Sequence, residues 1–184
     1  NPRSIWKHLI LQTYEIVDDF RLLPTRFSEG SLYLRHLTMA LDKEQIVESL
    51  EVSPLFAGCS KEILLQVAKR VKYRQYFSQD VIVWQGQPST SLFLIVNGIV
   101  AVKQRTRDTE QVLAYLMSGN SFGEVGILEN QPRSATVQAL SEVDALVIQR
   151  EDFIDILLSH AKVAIVLAKV LGHYILKTHK LTRG

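Results

Sequence analysis

The stretch Val81-Ile82-Val83-Trp84-Gln85-Gly86-Gln87-Pro88-Ser89-Thr90-Ser91-Leu92-Phe93-Leu94-Ile95-Val96-Asn97-Gly98-Ile99-Val100-Ala101-Val102 decides the fold. It holds three apolar runs of strand length, Val81 to Trp84, Leu92 to Val96 and Ile99 to Val102, cut apart by Gln87-Pro88-Ser89 and by Gly98. Runs rich in β-branched and aromatic residues, bounded by Gly, Pro and Ser, read as strands. Working outward, the pattern repeats at Val112-Leu113-Ala114-Tyr115, Thr136-Val137-Gln138-Ala139 and Ala145-Leu146-Val147-Ile148, with Thr106-Arg107-Asp108, Gly119 and Gly123 between. Many short strands at regular spacing predict an antiparallel barrel or jelly roll between about Val71 and Val147.

Helical periods flank this block. Ile5, Trp6, Leu9, Ile10, Thr13, Ile16, Val17 and Phe20 share one face of an amphipathic helix with Ser4 as its N-cap. Pro24 and Ser28-Glu29-Gly30 interrupt it, and a second helix is predicted from about Ser31 to Leu50, with Leu37, Leu41, Ile46 and Leu50 apolar. Residues 1–52 are therefore expected to be a helical segment that links or couples to an effector, and residues 53–184 a domain that Ser53-Pro54 opens. Ser60 is placed to cap a helix over Lys61 to Ala68. After Arg150 the helical period returns at Phe153, Ile156 and Leu157, then at Val163, Val166, Leu167, Val170, Leu171, Tyr174 and Ile175. The last helix is apolar over more than half its circumference, which predicts a second contact besides the barrel.

The bulk numbers narrow the function. A chain of 184 residues, 47% hydrophobic and 22% charged, has the composition of a soluble globular protein. Its 21 Lys and Arg against 19 Asp and Glu leave a net charge of +2, so no nucleic acid or acidic surface is expected as a broad partner, and any anion site must be local. The one cysteine, Cys59, cannot form an internal disulfide, which favours a reducing, cytoplasmic setting. No run reaches the about 18–20 apolar residues of a bilayer span and no signal peptide is present, so no direct membrane insertion is expected, a reading compatible with the cytosolic part of a membrane protein. A start at Asn1 and an end at Gly184 just after a helical pattern suggest a piece of something longer. The five histidines, His8, His36, His160, His173 and His179, are scattered, and neither a Gly-x-Ser-x-Gly elbow nor a Gly-Lys-Ser/Thr loop occurs. No catalysis, metal or cofactor is expected.

One segment concentrates chemistry: Phe122-Gly123-Glu124-Val125-Gly126-Ile127-Leu128-Glu129-Asn130-Gln131-Pro132-Arg133-Ser134-Ala135-Thr136-Val137-Gln138-Ala139. Gly123 permits close backbone approach, Glu124 can accept a hydrogen bond from a sugar hydroxyl, and Ile127-Leu128 suggest a short helical turn whose free N–H groups face an anion. Arg133 can bind a phosphate through parallel charge-assisted hydrogen bonds, with the Ser134 hydroxyl and small Ala135 following. An isolated Gly-Glu pair more often just connects strands, with Glu129 and Arg133 as solvated loop charges.

The segment resembles the phosphate-binding cassette of the cyclic nucleotide-binding domain family: Phe-Gly-Glu, a small and an aliphatic residue, a spacer, then Arg-Ser/Thr/Ala-Ala and an alternating strand. Upstream, Ile82 to Gln87 with Leu92 to Ile95 and Gly98 resembles the family's second signature, although Ser89 stands where Gly, Ala or Cys is usual. The likeness runs from about Ser53 to Lys180. It implies a mainly β domain with flanking helices, an eight-stranded antiparallel jelly roll preceded here by the helical segment. It further implies ligand contacts at Gly123, Glu124, Val125, Arg133, Ser134 and Ala135, with Glu124 on the ribose 2′-hydroxyl and Arg133 on the cyclic phosphate. The last helix, Val163 to Ile175, closes over the base, with Leu171 and Tyr174 as contacts. Ser134 favours cyclic AMP over cyclic GMP as ligand. The implied function is a regulatory domain coupling ligand binding to an effector in the same longer chain, such as a channel, transporter or kinase. Rivals are a ligand-free interaction module of the same fold and a truncated transcription regulator, and the leading helices leave homo-oligomerisation open.

Overall fold

The computed structural model describes residues 41–181, with side chains described through residue 172. The predicted helix over Ile5 to Phe20 with its Ser4 cap, and the Ser31 to Ala40 part of the second, lie outside the described residues. Helix α1 (Lys43–Glu51) begins at a capping box rather than continuing unbroken from Ser31. Asp42 accepts hydrogen bonds from the N–H groups of Glu44 and Gln45, both at 2.9 Å, and Gln45 Oε1 accepts one from Asp42 N–H at 3.0 Å. These bonds satisfy N–H groups that a helix start otherwise leaves free. Ser53 then ends the helical run: Pro54 cannot donate, and a 3-10 turn (Pro54–Phe56) starts with the Ser53 hydroxyl accepting from Leu55 N–H. Helix α2 (Lys61–Ala68) follows with Ser60 at its N-cap position, but the Ser60 hydroxyl makes no capping hydrogen bond there.

Eight strands come next: β1 (Val71–Tyr76), β2 (Val81–Val83), β3 (Ser91–Asn97), β4 (Ile99–Arg105), β5 (Glu110–Met117), β6 (Ser121–Phe122), β7 (Thr136–Ala139) and β8 (Val143–Gln149). They pair antiparallel in two four-stranded sheets, ordered β1-β8-β3-β6 and β2-β7-β4-β5, as an antiparallel roll with flanking helices. The predicted strand through Trp84 stops at Val83, because Trp84 N–H turns to Gln87 Oε1 at 3.1 Å and its ring is exposed. Short helix α3 (Glu124–Leu128) interrupts the strands, and α4 (Arg150–Ser159) and α5 (Ala161–Leu181) close the chain.

Two hydrophobic clusters share one wall. Between the sheets lie Phe93, Ile95, Val100, Val102, Leu113, Leu116, Val137 and Val147. Outside the first sheet, Leu92, Leu94, Leu146 and Ile148 meet Val47 and Leu50 of α1, Phe56, Leu64 and Val67, and Phe153, Ile156, Val163 and Leu167 of the last two helices. Alternate residues of β3 and β8 thus face opposite clusters, which is why both strands read as unbroken apolar runs. Because α1 is part of this outer layer, Val47→Ala should lower unfolding free energy by about 2 kcal/mol, the transfer of two methyl groups plus the void they leave. A urea midpoint unchanged by that substitution would mean that α1 is not docked in solution.

Candidate functional site

The site is built where α3 and the chain entering β7 come back against the start of β3. Gly123 occupies the N-cap of α3 with φ +100°, a left-handed conformation that side chains rarely adopt. It is also crowded: a Cβ there would sit 2.8 Å from Ser91 O and collide with Arg133 Nη1. Only glycine lets the cassette backbone come this close to the guanidinium. The turn after Gly123 puts Glu124 in the first position of α3 and Ile127 fully inside the outer cluster.

Arg133 is 7% exposed, unusual for a cation. Its Nη2 donates to the Ser91 backbone oxygen at 2.6 Å and to Ser91 Oγ at 3.3 Å, and its guanidinium lies 5.6 Å from the Phe93 ring centroid. Phe93 in turn stacks on Phe122 at 4.8 Å. Aromatic faces attract a cation and carry no donor to compete with it. The backbone is held as firmly: Arg133 N–H donates to Gln87 O at 2.8 Å, and Arg133 O accepts from Gly86 N–H at 2.9 Å.

What remains unmet is as informative as what is met. Among the described residues, the buried side-chain polar atoms without a hydrogen-bond partner are Glu124 Oε2, Arg133 Nε, Arg133 Nη1 and Ser89 Oγ. Buried polar groups are nearly always paired, so four orphans on three neighbouring segments mark a place for a polar ligand. Two corners of a guanidinium offer donors to an anion, and a carboxylate oxygen offers an acceptor to a hydroxyl. Burial of the carboxyl pushes the Glu124 pKa up to about 7, while its own backbone N–H and the charge of Arg133 pull it back. Burial lowers the Arg133 pKa from its ordinary value, and Glu124 opposes that shift.

Of the residues singled out in the sequence, Gly123, Glu124, Val125, Arg133, Ser134 and Ala135 fall on α3 and the entry to β7; Ala135 is buried between the sheets and Ser134 is exposed, its carbonyl near Gln104 Nε2 at 3.4 Å. Leu171 sits partly buried against the outer helical cluster. The side chain of Tyr174 lies outside those described. Ser91 and Phe93, which hold the guanidinium, were legible in the sequence only as part of a strand and not as site residues: they stand about forty residues upstream of Arg133, and only the fold brings them to it. An open cleft of about 400 Å³ is lined by Gly86, Pro88, Ser89, Thr90, Arg150 and the cassette residues Asn130, Gln131 and Pro132, and neither Glu124 nor Arg133 is among its lining. The orphaned polar atoms locate the chemistry better than that cleft. Among the described residues no group of His, Cys, Asp and Glu could hold a metal ion, and no helix is long and apolar enough to cross a membrane.

Comparison with known proteins identifies the family. Residues 73–160 match the family described as cyclic nucleotide-binding domain. The chain is 32% identical over 109 residues to the potassium channel SKOR of Arabidopsis thaliana, covering 59% of this chain and 13% of the channel. It is 32% identical over 91 residues to the cAMP-dependent protein kinase regulatory subunit of Mycosarcoma maydis, covering 50% of this chain and 17% of that subunit. The chain thus spans less than a fifth of either relative. Among solved structures, the catabolite activator protein of Thermus thermophilus superposes with a TM-score of 0.67 at 28% identity, over 71% of this chain and 62% of that one.

Proposed function

We propose, from the premise that residues 73–160 belong to the cyclic nucleotide-binding domain family, that this chain is a regulatory domain whose ligand is cyclic AMP in preference to cyclic GMP. The observation that carries the proposal is the set of orphaned polar atoms on Glu124 and Arg133. A cyclic nucleotide supplies what both lack: a ribose 2′-hydroxyl to donate to Glu124 Oε2 and an anionic phosphate to accept from Arg133 Nε and Nη1. Gly123, Val125, Ser134 and Ala135 line the same turn and strand entry. Ser134 follows the arginine where the family resemblance puts Thr in receptors for cyclic GMP and Ala or Ser in receptors for cyclic AMP, which supports the preference.

Coupling to an effector in the same longer chain has a physical route. Ile127 of α3 lies in one packed cluster with Val163 and Leu167 of α5, Phe56 of the 3-10 turn and Val47 and Leu50 of α1. A ligand that draws the cassette inward moves Ile127, and the cluster must repack. Such a ligand shifts the balance only by its differential affinity for the two arrangements. In this proposal Leu171 and Tyr174 come to the base when α5 rearranges, and residues 1–52 pass the change to the effector, for which the potassium channel relative offers an example.

Isothermal calorimetry with both nucleotides tests the proposal. Cyclic AMP should bind in the low micromolar range or better, about 8 kcal/mol. The pH dependence follows from Glu124. Its folded pKa, about 7, lies above the ordinary carboxylate value. The free domain therefore gains stability below the ordinary value and loses it as pH rises toward 7. A ribose hydroxyl donating to the carboxylate prefers the ionised form, so affinity should rise with pH up to about 7 and binding near neutrality should release a proton. No heat at millimolar nucleotide would overturn the proposal and leave the ligand-free interaction module.

A further inference from the structure

The loop from Trp84 to Thr90 and the first residue of β3 hold both halves of the site at once. Gly86 and Gln87 clamp the backbone of Arg133, and Ser91 anchors its guanidinium. Ser89, between them, faces the other half. It is 6% exposed, its hydroxyl has no partner, and it fills the notch left by the missing side chain of Gly126 on α3. A Cβ on Gly126 would collide with Ser89 Oγ, stand 2.8 Å from Ser89 Cβ and lie 3.2 Å from Gln131 O. Rotating the hydroxyl away relieves only the first of these, because the Ser89 Cβ is fixed to the loop backbone. The φ of Gly126 is not in the left-handed region, so glycine is needed there for space and not for conformation.

We propose that Ser89 is a positioning residue for nucleotide binding: seated in the Gly126 notch, it sets the depth of α3 against the loop that holds Arg133, and so the spacing between the ribose acceptor and the phosphate donors. This rests on the function proposed above. Two links make the depth of α3 matter to both groups. Glu124 is on the same short helix, and Gly126 O accepts from Gln131 N–H at 3.0 Å, so a shift of Gly126 is passed to the chain leading into Arg133. The departure from Gly, Ala or Cys at Ser89 and the absence of a side chain at Gly126 are two sides of one contact. Interfaces packed this closely do not deform smoothly, and a change on one side requires a change on the other.

A double-mutant cycle on the full 184-residue chain decides it, read by cyclic AMP calorimetry and by amide exchange of residues 124–128 without ligand. Gly126→Ala should weaken binding about tenfold and speed exchange in α3. Ser89→Gly alone, which removes the side chain that sets the depth of α3, should weaken binding about fivefold and speed exchange in α3, and Ser89→Gly with Gly126→Ala should bind better than Gly126→Ala alone, because a Cβ at 126 then takes the space that Ser89 leaves. Ser89→Ala, which keeps the Cβ, should rescue Gly126→Ala less well than glycine does. The proposal is overturned if Ser89→Gly or Gly126→Ala binds like wild type, or if the double variant is as weak as Gly126→Ala. Should wild type bind no cyclic nucleotide, the function proposed above fails, while exchange in the four proteins still decides the role of Ser89: non-additive exchange supports it and additive exchange overturns it.

Discussion

Arg133→Ala is expected to weaken cyclic AMP binding about a hundredfold, and Arg133→Lys about tenfold. The alanine variant leaves the phosphate with no cation, and hydrogen bonds to a charged partner contribute about 1.5–3 kcal/mol each. Lysine keeps the charge but cannot present donors at several corners of a plane while one corner stays on Ser91. The fold should tolerate either change. Arg133 is a buried cation with two corners unpaired, so its removal relieves desolvation as well as breaking the Ser91 bonds, and these oppose each other. A second readout comes with it. Arg133 holds the Glu124 pKa down against burial, so Arg133→Ala should move the titration of that carboxyl further upward. Calorimetry gives the affinities, and carboxyl titration by nuclear magnetic resonance gives the shift. An alanine variant that binds like wild type would show that the phosphate lies elsewhere.

Phe56→Ala should have the largest effect on stability, about 3–5 kcal/mol. Phe56 is 1% exposed and sits in the 3-10 turn, which packs against α5 and α1. Its ring therefore joins the helix that enters the domain to the helix that leaves it, and the void left by alanine opens onto both. Urea unfolding should show the loss, and amide exchange should show α5 loosening more than the strands between the sheets. If exchange rose equally throughout, the outer helices and the roll would be unfolding as one unit, and the local role assigned to Phe56 would be wrong.

Much of this was legible in the sequence because the relevant signals are local. The Phe122 to Ala139 segment carries glycine, acid, helical turn and arginine within a single supersecondary unit, and α3 forms where Ile127-Leu128 suggested it. The roll was visible because β3 and β4 are apolar runs cut by glycine. What escaped depends on distance. β1, Val71-Lys72-Tyr73-Arg74-Gln75-Tyr76, is half-buried only at Val71, Tyr73 and Tyr76, too weak a pattern to read, and it is placed by pairing with β8, which begins at Val143. β6 is two residues long, too short for any period to show. The Asp42 capping box was hidden inside a run whose apolar positions continued past it. Ser89 looked like a mere departure at a turn until Gly126 stood opposite it.

The place of β8 in the first sheet, between β1 and β3, has a consequence for synthesis. A growing chain cannot complete that sheet until residue 149 has left the ribosome. Every residue assigned to the cassette emerges earlier. During that interval β1 and β3 both border an empty slot, and Leu92 to Ile95, destined for burial on both faces, can pair with any other chain that offers an edge. Closing the slot joins residues far apart in sequence, which is the slow kind of pairing. The interval before β8 arrives is therefore when β3 is most open to pairing with the wrong strand.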